Sequence, residues 1–209
     1  MFEHIRADYH AHGRSLGAQG LWVMTVYRFG RWRHGIRPRW VRMPFSFVYK
    51  VLYKTVQVLT GIELPCEVTV GKNFVIDHFG GIVISGYAKF GDNCRIRTGV
   101  VVGLARVDDP CAPTFGDNVD IGAGAKVLGR ITIGDNVAIG ANSVVTRSVP
   151  SDSIAVGVPA KVKQRSRLHV LPEAGDIDLS EPLEGPPTDL EIIGAEGGSE
   201  RPSKRAISA

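Results

Sequence analysis

The chain has 209 residues, 44% of them hydrophobic, which suits one domain of ordinary size with room for an appendage at either end. Its net charge of +4 conceals an asymmetry: residues 1–60 carry +8, residues 61–163 are neutral and residues 164–209 carry −4. A basic excess confined to one end argues against a nucleic-acid binder, which needs its cations on the folded binding face. Cys66, Cys94 and Cys111 are odd in number and lack CxxC spacing, so neither a disulfide framework nor a zinc site is expected, and a reducing cytoplasm is the simpler home. The opening MFEHIRADYHAHG lacks the basic head and apolar run of a secretory signal, and no apolar stretch is long enough to cross a bilayer.

Residues 1–60 are expected to be helical. Leu21, Met24, Val26 and Tyr27, then Val48, Val51, Leu52, Val56 and Leu59, recur at helical spacing, with breaks expected around Pro38 and Pro44. The segment WRHGIRPRWVRMPFSFVYK mixes arginine with aromatic residues. Two readings follow: a helical cap whose aromatics pack on the next domain, or a basic surface in peripheral contact with anionic lipid.

Residues 61–163 carry an internal repeat of six. Phe115, Ile121, Val127, Ile133, Ile139 and Val145 fall at that step, and Gly116, Gly122, Gly134 and Gly140 follow four of them. The fifth positions (Val119, Ala125, Ile131, Val137, Ser143, Val149) are small or aliphatic. Upstream the step recurs in Val70, Ile76, Ile82 and in Phe90, Ile96, Val102, with a two-residue insertion expected near 86–89 and a longer one over 104–114. Neither helical nor strand periodicity yields six, but a short strand plus a turn does, three such units closing a triangular coil around an aliphatic column. Asn93, Asn118 and Asn136 suit corners with positive φ. Residues 164–209, rich in Pro, Gly, Ser and acid, are expected to be a disordered tail.

In this register Ile76 points inward, which puts Asp77 and His78 of IDHFGG on the outer surface. His78 is the only histidine between His34 and His169. An imidazole titrates near neutrality and can take a proton from a hydroxyl. Gly80 and Gly81 offer backbone N–H groups for an oxyanion, and either Asp77 or Glu63 would orient the ring. Arg106, Asp108 and Asp109 in the longer insertion are candidate acceptor contacts, and Lys161, with Lys163 and Arg165, could meet phosphate. Cys94 falls at an inward position, and acidic neighbours should keep the Cys111 thiol protonated.

The stretches IELP (62–65), VGKNFVIDHFGGIVIS (70–85), IGAGAKVLGRITIGDNVAIGANSVV (121–145) and VPSDSIAVGVPAKV (149–162), with GLWVMTVYRFGRW (20–32), resemble the hexapeptide-repeat acyltransferases. The chain is most similar to their serine acetyltransferase group and its relatives in polysaccharide biosynthesis. That resemblance implies a mainly β fold, a left-handed parallel β-helix behind an N-terminal helical segment. It further implies an acetyl-CoA donor, a homotrimer with sites between subunits (trimers pairing through the helices are one arrangement), and no metal. Residue by residue it implies His78 as base, Asp77 and Asp8 at the acceptor, and Gly103, Ala123, Ala141 and Lys161 along the CoA groove. One departure stands out. Where the serine enzymes carry an arginine–histidine pair that contacts the amino acid, this chain has Cys111 and Ala112. The departure shifts the expected acceptor to a saccharide hydroxyl, with serine as the alternative and a non-catalytic trimeric scaffold as the alternative of another class. A carbonic anhydrase of this fold would need several histidines, and a nucleotidyltransferase a further domain that sixty residues cannot house.

Overall fold

A computed structural model describes residues 2–106 and 108–164; the tail expected from residue 164 onward lies, but for that first residue, outside the described residues. Among the described residues three helices, α1 (Phe2–Ala11), α2 (Gln19–His34) and α3 (Arg39–Thr60), precede fifteen short strands, β1 (Ile62–Glu63) to β15 (Lys161–Gln164). The strands form three faces of a parallel β-solenoid of about five turns. One face is β1-β4-β7-β10-β13, the second is β2-β5-β8-β11, and the third is β3-β6-β9-β12-β14 closed by β15. Only β15 runs antiparallel, pairing Val156 with Lys161 and ending the stack.

The six-residue register is realised in the core. Phe115, Ile121, Val127, Ile133, Ile139 and Val145 are all at most 3% exposed, and Phe74, Phe90 and Phe115 stack inward with centroids 5.1 and 4.4 Å apart. The glycines after these inward residues are there because coils touch: a Cβ on Gly122 would lie 2.5 Å from the Ala141 nitrogen. At one corner Asn73, Asn93, Asn118 and Asn136 adopt φ of +54° to +57°. Each donates its side-chain amide to the residue one coil on, at 2.9, 3.1, 3.0 and 2.9 Å, ending on Asp152. Asparagine tolerates this backbone region and also pairs along the axis, which is why it recurs there.

The upstream phase differs from expectation. Val70 pairs with the column position Phe90 and Ile76 with Ile96, but it is Ile84, not Ile82, that pairs with Val102. Eight residues therefore separate Ile76 from its successor, where six separate Ile96 from Val102. The two-residue insertion lies at the corner 77–81 rather than near 86–89. Ile82 is still buried, but at the fifth position, beside Ile62. Aliphatic residues at both places made the two phases look alike in the sequence.

The helices differ too. The break falls at Gly35–Pro38, whereas Pro44 lies inside α3. Only six residues into the helix, it forfeits one backbone bond near an end that already has unpaired groups. Tyr27 and Tyr49 pack on the first coil, the Tyr27 hydroxyl donating to the Val68 carbonyl at 2.8 Å and the Tyr49 oxygen accepting from the Cys66 N–H at 3.1 Å. Of the residues at helical spacing in α3, Val48, Val51, Leu52 and Leu59 are 40–64% exposed. Gly30 permits the close contact of α2, since a Cβ there would meet Tyr49 at 2.5 Å and Cys66 at 2.7 Å.

Asn118→Ala should lower the urea-unfolding free energy by about 2–3 kcal/mol, losing two amide bonds and straining a left-handed position. Asn118→Gly should cost about half as much, because glycine adopts that φ freely.

Candidate active site

The corner insertion lifts His78 off the solenoid. Strand β3 (Val75–Asp77) ends, His78 turns at φ +62°, and Gly80 and Gly81 complete the reversal at +99° and +65°. The loop is anchored from below. The Thr98 hydroxyl lies 2.9 and 3.0 Å from the Gly80 and Phe79 carbonyl oxygens and shares its proton between them, while Gly80 N–H donates to the Thr60 carbonyl at 2.9 Å. Gly80 is thus spent on the fold, and Gly81 is the remaining candidate for an oxyanion donor. The imidazole is exposed.

A cleft of about 600 Å³ opens beside it, walled by Asp77, His78, Phe79 and Arg95 on one side and by the α1–α2 turn, with His12 and Gly20, on the other. The turn is held by His12, whose Nδ1 donates to the Asp8 carbonyl at 2.7 Å and whose Nε2 accepts from the Ile76 N–H at 3.2 Å. A Cβ on Gly20 would lie 2.4 Å from the Ile76 oxygen, so only glycine lets α2 approach β3 this closely. Asp77 turns toward Arg95, its Oδ2 accepting from Nη1 at 2.9 Å. Beyond it Arg97 pairs with Asp120, and that carboxylate raises the guanidinium pKa. Among the described residues neither Asp77 nor Glu63 hydrogen-bonds the His78 ring.

Other expected site residues are dispersed. Ala123 and Ala141 stand on the same edge as His78, two and three coils along it, joined by a hydrogen bond from Asn142 N–H to the Ala123 carbonyl at 2.8 Å. The distance from the His78 corner to that of Ala141 is about 14 Å, three strand spacings. Gly103 sits on the opposite edge of the intervening face, at the end of β7 paired with Leu128. Lys161 borders a second hollow of about 490 Å³ at the last coil, with Arg147 and Pro159.

Arg106 and Asp108 bind one another with two contacts of 3.1 Å, and Asp109 pairs with Arg130 at 3.0 Å. Asp109 in turn raises the Cys111 pKa, and burial pushes Cys94 up to about 11, so both thiols stay protonated at neutrality. Glu63 lies near Tyr53, whose phenol is pushed up to about 12 by burial first and then by Glu63.

Asp8 takes a post other than the expected acceptor contact. It is fully buried, both oxygens bound by Arg28 at 2.9 and 3.2 Å, and Arg28 also donates to the Val70 and Gly71 carbonyls. A buried carboxylate needs such a partner, and this one ties α1 and α2 to the first coil. Away from the cleft, His34, Cys66 and Glu67 bring three ligand atoms within 4.8 Å of one another, but Arg33 Nη2 also faces the Cys66 sulfur at 3.6 Å. Burial and Arg33 lower the His34 pKa.

Sequence reasoning missed His12, Arg95 and Thr98. Arg95 and Thr98 could have been read from the expected register, which already sets Ile76 beside Ile96: Val75 then pairs with Arg95 and the Thr98 turn lies over the His78 turn. His12 carries no periodic signal.

The profile described as bacterial transferase hexapeptide (six repeats) matches residues 112–147. A serine acetyltransferase of Synechococcus elongatus is 40% identical over 154 residues, covering 73% of this chain and 60% of that protein. One from Bacillus pumilus is 33% identical over 153 residues, covering 73% and 70%. Among solved structures, the serine acetyltransferase of Brucella abortus superposes with a TM-score of 0.67 at 28% identity, covering 78% of this chain and 68% of that one.

Thr98→Val should leave the Phe79 and Gly80 carbonyls without their shared donor. Amide exchange at residues 78–81 should accelerate at least tenfold while coils three to five keep their protection, as mass-resolved hydrogen exchange would record.

Proposed function

Because the chain belongs to the serine acetyltransferase group of hexapeptide-repeat transferases, we propose that it transfers acetyl from acetyl-CoA to the hydroxyl of L-serine. The observation that carries this reading is the Asp77–Arg95 pair beside His78 in one cleft. A free amino acid presents an ammonium and a carboxylate. Asp77 matches the first and Arg95 the second, so an acceptor can replace the internal pair without leaving either charge unpartnered. Arg95 thereby supplies the carboxylate contact that Cys111 and Ala112 cannot.

His78 takes the hydroxyl proton as the serine oxygen attacks the thioester carbonyl carbon. The Gly81 N–H faces the oxyanion, the carbon–sulfur bond breaks, and the imidazolium returns its proton to the departing thiolate. O-acetylserine and CoA leave, and the histidine is neutral again. The edge marked by Ala123 and Ala141 leads the pantetheine arm from the Lys161 end to His78, and small side chains leave room for it. A homotrimer, in which a neighbour closes the exposed side of this edge, is the working unit, and the cytoplasm supplies the acetyl-CoA.

The saccharide acceptor expected from the sequence drops to second place. The named relatives favour serine, and only the Cys111–Ala112 departure still favours a sugar hydroxyl.

Release of CoA from acetyl-CoA and L-serine alone is the decisive assay. His78→Ala should lower kcat by about 10²–10⁴-fold, the usual worth of a general base. Arg95→Gln should raise KM for L-serine about tenfold or more and leave KM for acetyl-CoA unchanged. Turnover with a saccharide and none with serine would replace the leading reading by the second.

A further inference from the structure

Helix α3 is amphipathic in the reverse sense. Its protein side carries Tyr49, Tyr53 and Val56, which pack on the core, and Thr60, which is buried. On the opposite side Trp40, Met43, Phe47, Val51 and Val58 recur at intervals of three, four and seven, so they fall in one stripe. They are 79%, 70%, 70%, 50% and 81% exposed. From Trp40 to Val58 the stripe runs about 27 Å. An outward apolar band of this size on a charged helix marks a binding surface.

The surrounding charge selects the occupant. Between Asp8 and Glu63 the sequence holds nine Lys/Arg and no Asp or Glu. Lys54, three residues after Val51 and four before Val58, falls on the stripe itself, Lys50 lies at its edge, and Arg37, Arg39 and Arg42 cluster at its start. A second copy's helical segment would bring the same cations against these, which costs energy, whereas an anionic surface gains from every one. The helix is not long and apolar enough to cross a membrane. It has the composition of one that lies in the interfacial plane, with aromatic and aliphatic residues below and Lys/Arg alongside.

We propose that α3 is a membrane-surface anchor that seats its Trp40–Val58 stripe in the headgroup region of an anionic bilayer. Lys50, Lys54 and the arginines of residues 37–42 engage the lipid phosphates. The anchor is independent of the acceptor assigned above, since none of its residues walls the His78 cleft.

Flotation of the full chain with phosphatidylcholine vesicles, with and without 30% phosphatidylglycerol, tests the anchor. Binding is expected to the anionic vesicles only and to weaken as salt rises from about 0.1 to 0.5 M, as screening shortens. Lys50→Gln with Lys54→Gln should reduce partitioning about thirtyfold, each cation near the surface being worth about fivefold. Phe47→Gln with Val51→Gln should abolish it while leaving the far-ultraviolet circular dichroism unchanged; the lysine pair keeps the test open if that variant misfolds. Equal binding to neutral vesicles, or none to anionic ones at low salt, overturns the proposal. So does a fall in oligomer size for Phe47→Gln with Val51→Gln in sedimentation when the parent chain shows no vesicle affinity, because a second copy would then cover the stripe.

Discussion

The parallel hydrogen bonds between coils hold this protein together, and they form only if every corner turns at the same place. At the asparagine corner that condition is built into the side chains: each amide donates to the next coil, so a residue out of step loses its own bond and its neighbour's. Asp92, Asp117 and Asp135 repeat the device, their carboxylates accepting the N–H of Lys72, Asp92 and Asp117 one coil earlier. The interior adds a column of aliphatic and aromatic residues that packs only when stacked in register. Register, core and corner chemistry thus enforce one another, and a local deviation must be confined to where it does not propagate.

The His78 corner is such a deviation. Two extra residues interrupt one edge of the first coil, yet Ile84 regains the column within the same turn. Two left-handed glycines and the bridge from Thr98 absorb the insertion, so the coil above is undisturbed. What the insertion gains is projection: a corner of ordinary length would place the equivalent residue against the prism, as with Ala123 and Ala141. The site is therefore a controlled fault in a regular stack. Its rigidity comes from the intact coils stacked on one side and from α2 packed on the other, a firmer base than a free loop offers.

The repeat was legible because six is a period neither helix nor ordinary strand produces, and its inward residues could be named individually. The phase of the first coil was not legible, because Ile82 and Ile84 are equally apolar and flank an insertion the pattern cannot see. The partner of Asp77 was not legible for a different reason: the register sets Val75–Asp77 beside Arg95–Arg97, but only side-chain packing decides that the carboxylate turns to Arg95 rather than Arg97. Asp8 was misread for another reason. A carboxylate next to an arginine-rich helix can face a ligand or a buried guanidinium, and only packing chooses. The helical period of α3 was visible, but periodicity gives the angle between apolar residues, not which stripe meets the core.

That last ambiguity has a physical resolution. α3 carries two apolar stripes on opposite sides, and the one that packs inward contains the tyrosines. Tyr49 joins a hydrogen bond to the Cys66 backbone with a stacking contact to Tyr53 at 5.7 Å and a cation–π contact to Arg33 at 4.3 Å. Valine or methionine at those positions could offer area but no partner for the Cys66 N–H at the edge of the first coil. The outer stripe, apolar but for Lys54, is thereby left outside. Once Tyr49 is fixed, the exposure of Phe47 and Val51 follows from helix geometry alone, and the surface that remains is apolar, basic and free of acid.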